Sequence, residues 1–249
     1  MTAPDLAQIA ADLESLEETI ILRLIDRAQF RYNPRVYRPG ESGFGGEPDL
    51  SLFALRLRCQ ERMDARFGRF CAPEERPFNR GLPAPGRRVQ LPPHCLRIDD
   101  WDRVNLSAHI LESYLGLVAR ICRDGDDGQY GSSVEHDVYA VQAIARRIHY
   151  GSLYVAESKY RSAPELYDGA LAGDDPHPLM DLLTRPEVEA RILARVAQKT
   201  TALQASVDPR LRQVIDPEAV RDYYRVHVIP LTKAGQILYL RHRRHHANP

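Results

Sequence analysis

Apolar residues recur at intervals of three and four along much of the chain. The first stripe comprises Leu6, Ile9, Leu13, Leu16, Ile20 and Leu24. This spacing places their side chains on one face of an amphipathic helix, which we predict over 6–30. Similar stripes predict helices over 52–70, over 106–121, from Ser132 or Ser133 to Ile148, from Thr184 onward, and over 216–239. Because no segment alternates with period two, the sequence predicts an all-α fold in which long helices pack as a bundle.

Three of these predicted helices begin beside residues that can satisfy free backbone N–H groups. Asn105 precedes one helix, and Ser132 or Ser133 precedes the next. Thr184 and Glu187 have the spacing of a capping box. We therefore expect side-chain caps at these three positions.

Proline divides the chain into two kinds of region. Nine of the 18 prolines fall within 34–93, and none lies within 94–163. Because proline breaks helix interiors, we expect loops around one helix over 34–93 and long helices in the stretch that follows. We find no repeat or linker, so the sequence predicts a single domain over 1–249 with a flexible tail over 245–249.

The overall charge excludes several classes of partner. Lys plus Arg is 34 and Asp plus Glu is 34, whereas proteins that coat nucleic acid or anionic membranes carry a basic excess. No run of about 18 apolar residues predicts a membrane span, and residues 1–5 have the features of neither a signal peptide nor a transit peptide. The 4 cysteines lack CxxC spacing and the 9 histidines lack paired ligand spacing. We therefore predict a cytoplasmic protein with reduced thiols and no metal site.

Several polar residues occupy positions where the helical pattern favours apolar side chains. Glu189 precedes an apolar set at i+3, i+4 and i+7. Thr232 and Gln236 share one helix face with Val228 and Leu240. Burying an unpaired polar group is costly, so each of these residues needs either a protein partner or a ligand.

Arg147 belongs to the same set of inward-facing polar residues. Small residues at Ala140, Ala143 and Gly151 share its helix face. Such neighbours leave space for another group to approach the guanidinium. Lys159 lies near the end of the same predicted helix.

Two interpretations of these positions remain open on residue spacing alone. One is a ligand pocket shared between helices. The other, which spacing alone favours, is a buried structural network. In that network Thr232 bonds its own i−4 carbonyl, and an arginine neutralises Glu189. The candidate arginines are Arg191, Arg195 and Arg147.

Four blocks of the chain match the sequence patterns of a known family. They are 20–30 (IILRLIDRAQF), 124–132 (DGDDGQYGS), 146–160 (RRIHYG and VAESKY) and 230–240 (PLTK and YL). The corresponding family patterns are TIIFxLIERAxF, GDDGNYGS, RRIHYGKFVAEAKF and MPLTKEVQVEYLLRR. The four blocks occur in the same order as in the family and extend over 19–244. The chain therefore resembles the plant and fungal chorismate mutases of the all-helical AroQ class.

The resemblance implies an isomerase of Phe/Tyr biosynthesis that rearranges chorismate to prephenate without a metal or cofactor. Such an enzyme holds a dianion in its compact conformer and stabilises charge on the ether oxygen. By the resemblance, Arg147 binds a substrate carboxylate and Thr232 lies near a carboxylate. Lys159 and Gln236 match the donors to the ether oxygen, and Glu189 matches the carboxylate that binds the ring hydroxyl. Because an amide donates at any pH, we expect activity to persist at neutral and mildly alkaline pH.

Two departures from the family pattern concern this site. The family has an arginine in its first helix where this chain has Ala10, so one cation for the substrate is missing. Lys159 follows Arg147 by 12 residues, one more than in the family. On a straight helix this spacing rotates the lysine by about 120° from the arginine. A π-bulge absorbs one extra residue, and we predict one between Gly151 and Val155.

The resemblance also implies partners. The family is typically homodimeric, and some members bind Tyr or Trp as effectors at the dimer interface. Gly131 and Ser132 match residues of that effector site, and Arg69 matches one of its two arginines. Glu135 replaces a threonine there, and it would repel an effector carboxylate unless it pairs with the ammonium group. As an alternative function, Ala10 suggests a catalytically impaired member that binds chorismate or aromatic amino acids.

Overall fold

The computed structural model describes residues 5–173 and 175–244, and their regular secondary structure is helical throughout. The α-helices are α1 (Leu6–Arg27), α2 (Leu52–Phe67), α3 (Ser107–Ile121), α4 (Tyr130–Tyr150), α5 (Ala156–Ser162), α6 (Pro164–Leu171), α7 (His177–Leu183), α8 (Pro186–Leu203), α9 (Pro217–Tyr223) and α10 (Ile229–His242). The first π segment, Gly151–Val155, joins α4 to α5, and the second, Tyr224–Val228, joins α9 to α10. The all-α prediction is therefore confirmed, while the predicted tail over 245–249 lies outside the described residues.

The core of the bundle lies between α1 and α4, which pack along each other. Ile20 and Leu24 of α1 and Val141 and Ile148 of α4 have no exposed surface, as their stripes predict. Burial of one such side chain contributes about 1.5–3 kcal/mol to folding. Around this pair, α10 packs on the first π segment, and α8 packs on α1 and α9. None of the helices in the described parts of the chain is long and apolar enough to cross a membrane.

The predicted π-bulge is confirmed at Gly151–Val155. Two glycines allow α10 to approach this wider turn closely. A Cβ at Gly151 would lie 2.9 Å from Cγ2 of Thr232, and a Cβ at Gly235 would overlap the Ser152 side chain. The Ser152 hydroxyl also donates to the main-chain oxygen of Ile148 at 2.7 Å.

The single helix predicted over 216–239 is wrong in one respect, because the second π segment interrupts it. Pro230 is the second residue after that segment. Proline has no N–H for the carbonyl four residues earlier, and its ring crowds that carbonyl. The wider π turn relieves this crowding without ending the helix. At its start, the Asp216 carboxylate accepts a hydrogen bond from the main-chain N–H of Glu218 at 2.9 Å.

At α3, Leu106 occupies the N-cap position without a side-chain cap, but the predicted Asn105 still binds the first N–H group of the helix. Asn105 Oδ1 accepts from the main-chain N–H of Ser107 at 2.9 Å. The capping box at α8 is wrong, since the Thr184 hydroxyl donates to the Met180 carbonyl of α7 at 2.8 Å. Arg185 occupies the N-cap position of α8 without a side-chain cap.

Two predicted helix ends also differ from the observed ones. α4 begins at Tyr130, so Ser132 and Ser133 lie within its first turn instead of capping it. α2 ends at Phe67 because Gly68 adopts φ +87°, a left-handed conformation that stops helices at glycine.

A buried ion pair fixes the end of α1 against α4. Arg27 Nε lies 2.6 Å from Asp137 Oδ1, and both side chains have no exposed surface. The hydroxyls of Tyr114 and Tyr37 each donate to the same carboxylate at 2.8 Å. Every charge in this group is therefore paired, which is the condition under which buried ions are tolerated.

Candidate active site

One face of α10 places polar side chains inside the bundle. Val228, Thr232, Gln236 and Leu240 are all more than nine-tenths buried, as their spacing predicts. Gln236 Nε2 lies 3.4 Å from the main-chain oxygen of Gly151 in the first π segment. Its Oε1 is buried without a hydrogen-bond partner among the described residues. Since buried polar atoms are normally paired, this atom points to a ligand site.

Arg147 of α4 faces these α10 residues. Its Nη1 donates to Thr232 Oγ1 at 3.1 Å, and its Nη2 lies 3.5 Å from Glu17 Oε1. The guanidinium also lies over the Tyr224 ring, 5.6 Å from the centroid. Its Nε is buried without a partner in the described chain, so the guanidinium retains hydrogen-bonding capacity for a carboxylate.

Glu17 is a site residue that the sequence reasoning missed. Arg195 of α8 donates to both of its carboxylate oxygens at 2.9 Å, and Arg147 shares the same carboxylate. Glu17 has no exposed surface and fixes the position of both arginines. The signal was present in the sequence, because Glu17 lies at i+4 from Leu13 and i−3 from Ile20 on the apolar stripe of α1.

Lys159 of α5 lies inside the structure, as the π-bulge prediction required. Its Nζ donates to the main-chain oxygen of Leu183 at 2.8 Å. The pKa of Lys159 is lowered to about 8, chiefly by burial. The nearby cations Arg185 and Lys233 also lower it, and Glu189 opposes them.

Glu189 of α8 is half-buried beside these cations. Its partner is Lys233, whose Nζ lies 3.0 Å from Glu189 Oε1 and 3.3 Å from Thr184 Oγ1. The alternative of a buried structural network expected Arg191, Arg195 or Arg147 to neutralise Glu189. That expectation was wrong, because the partner is Lys233. Since Lys233 follows Thr232 directly, α10 links the Arg147 contacts to the Glu189 contacts.

The predicted effector residues are not brought together within one chain. Gly131 and Ser132 are exposed at the start of α4. Glu135 pairs with Arg56 of α2 at 3.4 Å. Arg69 is already bound by two carboxylates at 2.9 Å each. Within the described chain, no hydrogen bond or ion pair joins Arg69 to the other three predicted residues.

Two cavities lie away from these residues. One of about 670 Å³ borders the loops between α2 and α3, and one of about 520 Å³ lies between the start of α1 and Tyr154. Neither is lined by Arg147, Lys159 or Gln236. In the stretches 5–173 and 175–244, no group of three or more His, Cys, Asp or Glu could hold a metal ion.

We call the polar group inside the bundle the bundle site. Its members are Arg147, Lys159, Glu189, Thr232, Lys233 and Gln236. Its members come from α4, α5, α8 and α10, and one buried acid, Glu17, orients the central arginine. Fold and residues together describe an all-helical protein with buried and half-buried cations, a carboxylate and an amide in its bundle, which is the chemistry expected of a protein that binds a small organic anion.

Comparison with known proteins agrees with this class. Chorismate mutase 1 of Petunia hybrida, a protein named chloroplastic, is 38% identical and is matched over 91% of this chain and 72% of its own length. The Candida albicans chorismate mutase in complex with L-Trp aligns with a TM-score of 0.87 at 33% identity, covering 96% of this chain and 91% of that one. AtCM1 with tyrosine bound in its allosteric site aligns with a TM-score of 0.81 at 36% identity, covering 93% of each chain. No protein-family model matches the chain.

The chain belongs to the chorismate mutase family. It has the all-α AroQ fold of that family and is an isomerase.

Proposed function

We propose that the protein converts chorismate to prephenate as a step in aromatic amino acid biosynthesis. In this Claisen rearrangement a C–C bond forms while the ether C–O bond breaks, both within one molecule. The protein therefore has to hold the dianion in its compact conformer and stabilise charge on the ether oxygen. The observation that supports the proposal is that α10 contacts both groups of site residues. Its Thr232 binds Arg147, and its Lys233 pairs with Glu189 beside Lys159.

In this proposal Arg147 binds one substrate carboxylate. Its Nε is buried without a partner in the described chain, and its Nη2 lies 3.5 Å from Glu17, so the Nε edge of the guanidinium keeps a donor for a carboxylate. Thr232 lies near that carboxylate and helps to orient the guanidinium, since its oxygen accepts from Nη1 while its hydroxyl donates to the Val228 carbonyl at 2.7 Å, the i−4 bond expected of a threonine in a helix. Glu17 keeps the guanidinium in place, which limits the entropy lost when the substrate binds.

Lys159 and Gln236 are the proposed donors to the ether oxygen. The lysine brings a positive charge into a partly dry environment, where charge stabilisation is stronger than in water. The Gln236 amide donates in every protonation state of the protein. Glu189, held by Lys233, accepts a hydrogen bond from the ring hydroxyl and fixes the orientation of the ring.

The competing function is a catalytically impaired member that only binds chorismate or aromatic amino acids. Its motivation is Ala10, which removes one cation expected from the family. The relatives are named as enzymes in plants and fungi, and they do not favour this alternative.

Prephenate formation by the purified protein tests the proposal, with Arg147→Ala compared against Arg146→Ala. We expect Arg147→Ala to lower kcat/KM by about 100-fold or more, while Glu17 stays paired with Arg195 and the fold is retained. Arg146 is a matched control, since its side chain is exposed and its ion pairs are with the acidic loop residues Glu74 and Glu75. No turnover by the wild type, or equal losses in both variants, would contradict the proposal.

We also propose a second copy of the chain and an aromatic amino acid effector as partners. The Candida albicans and AtCM1 structures hold L-Trp and tyrosine, respectively. Since the described residues of one chain do not join Arg69 to Gly131 and Ser132, a homodimer is the proposed way to complete the effector site. Light scattering tests the dimer. Turnover with added Trp or Tyr tests the effector, and we expect the Glu135→Thr variant to respond more strongly than the wild type.

A cytoplasmic location stays a prediction, because the petunia relative is named chloroplastic.

A further inference from the structure

A cation outside the predicted set lies at the edge of the bundle site. Arg185 is the residue directly before α8. The two residues that precede it, Leu183 and Thr184, are those whose oxygens accept from Lys159 and Lys233. The site lysines therefore hold the segment that carries Arg185.

The guanidinium of Arg185 is exposed and weakly engaged. Its Nη1 donates at 3.3 Å to the main-chain oxygen of Thr184, the preceding residue. In the described part of the chain no carboxylate lies within 4.0 Å of it. Lys159 donates to the main-chain oxygen of Leu183 at 2.8 Å, two residues before Arg185, and the positive charge of Arg185 helps to lower the pKa of Lys159. Such an arrangement is repulsive until an anion is bound.

The charges around the site support the same inference. The cations are Arg147, Lys159, Arg185, Lys233 and Arg195. The carboxylates that they meet are Glu14, Glu17 and Glu189. When all are ionised, two positive charges remain, which match a dicarboxylate. Without Arg185 only one would remain.

We propose that Arg185 binds the second carboxylate of chorismate, the one that Arg147 does not hold. This inference rests on the proposed function. Ala10 lies seven residues before Glu17 on α1, two helical turns along the same face, so this position of α1 supplies no cation to the site. Arg185 supplies one from the residue before α8 instead, next to the segment that Lys159 and Lys233 bind.

The test compares kcat and KM for chorismate in Arg185→Ala and Arg191→Ala. Both residues are exposed arginines of the α8 region, so both variants lose the same charge. We expect Arg185→Ala to lower kcat/KM by about tenfold to a hundredfold, the scale of one charged hydrogen bond, and Arg191→Ala to stay within twofold of the wild type. Ala10→Arg should restore much of the loss in the Arg185→Ala background and add little in the wild type, because the two positions then serve one carboxylate.

Three results would overturn this proposal. They are an Arg185→Ala protein as active as the wild type, an equal loss in Arg191→Ala, and a loss that Ala10→Arg does not restore. In each case an active wild type leaves the proposed function standing. An inactive wild type would instead contradict the proposed function itself.

Discussion

Replacing Lys159 with Met removes the ammonium group and keeps an unbranched side chain of similar length. In the native protein Nζ donates to the main-chain oxygen of Leu183 at 2.8 Å, mostly shielded from water. A preorganised donor aimed at developing charge contributes about 3–4 kcal/mol to transition-state stabilisation. We therefore expect kcat to fall by about 100-fold to 1000-fold.

The same substitution should not unfold the protein. Burial lowers the pKa of Lys159 to about 8, which means that the folded state disfavours the charged lysine relative to the unfolded chain. Removing that charge therefore costs the fold little. A thermal melt followed by circular dichroism should give a Tm close to that of the wild type.

The pH dependence of kcat/KM gives a second readout of the same residue. As pH rises through about 8, Lys159 of the free protein loses its proton, so wild-type kcat/KM should decline above that pH. This sets an upper limit to the neutral and mildly alkaline activity expected from Gln236. Lys159→Met should lack the decline. If Lys159→Met kept more than a tenth of wild-type kcat with the same alkaline decline, Lys159 would not be the ether-oxygen donor.

Three further substitutions test other parts of the structure. Asp137→Ala leaves Arg27 buried without its carboxylate, and we expect a loss of about 3–5 kcal/mol in unfolding free energy by denaturant titration; a loss under 1 kcal/mol would contradict the pairing. Gly151→Ala places a Cβ 2.9 Å from Cγ2 of Thr232, so kcat/KM should fall while melting shows a folded protein, and unchanged kinetics would refute the close approach. Gln236→Glu donates only when protonated, so its kcat/KM should decline with rising pH at a lower pH than in the wild type; identical profiles would exclude Gln236 as a donor.

Long helices and their buried polar positions could be predicted because local spacing determines them. The stripes of α1, α4 and α10 each repeat over several turns, and the inward direction of Thr232 and Gln236 follows from that repeat. The first π segment was predictable because one extra residue between Arg147 and Lys159 has to be absorbed where both side chains are needed. The short helices α6 and α7 were missed, since seven or eight residues with a proline give too few repeats.

The partners of the buried charges could not be read from spacing. Whether Glu189 meets an arginine or Lys233 depends on which helices pack together, and that is a property of the tertiary fold. Thr184 illustrates the same limit, since the Met180 carbonyl competes for its hydroxyl and removes the expected cap. Arg185 was overlooked because it lies outside any apolar stripe, and only its position after the two residues that Lys159 and Lys233 bind marks it.

Catalysis by the bundle site requires tighter binding of the compact, charge-shifted conformer than of the substrate ground state. The most direct measurement is the inhibition constant of a rigid bicyclic dicarboxylate that mimics this conformer, determined against chorismate with the wild-type protein. We expect an inhibition constant at least about 100-fold below the KM for chorismate, with much of that difference lost in Arg147→Ala. An inhibition constant equal to KM would contradict the assignment of Arg147, Lys159 and Gln236 as groups that stabilise the transition state.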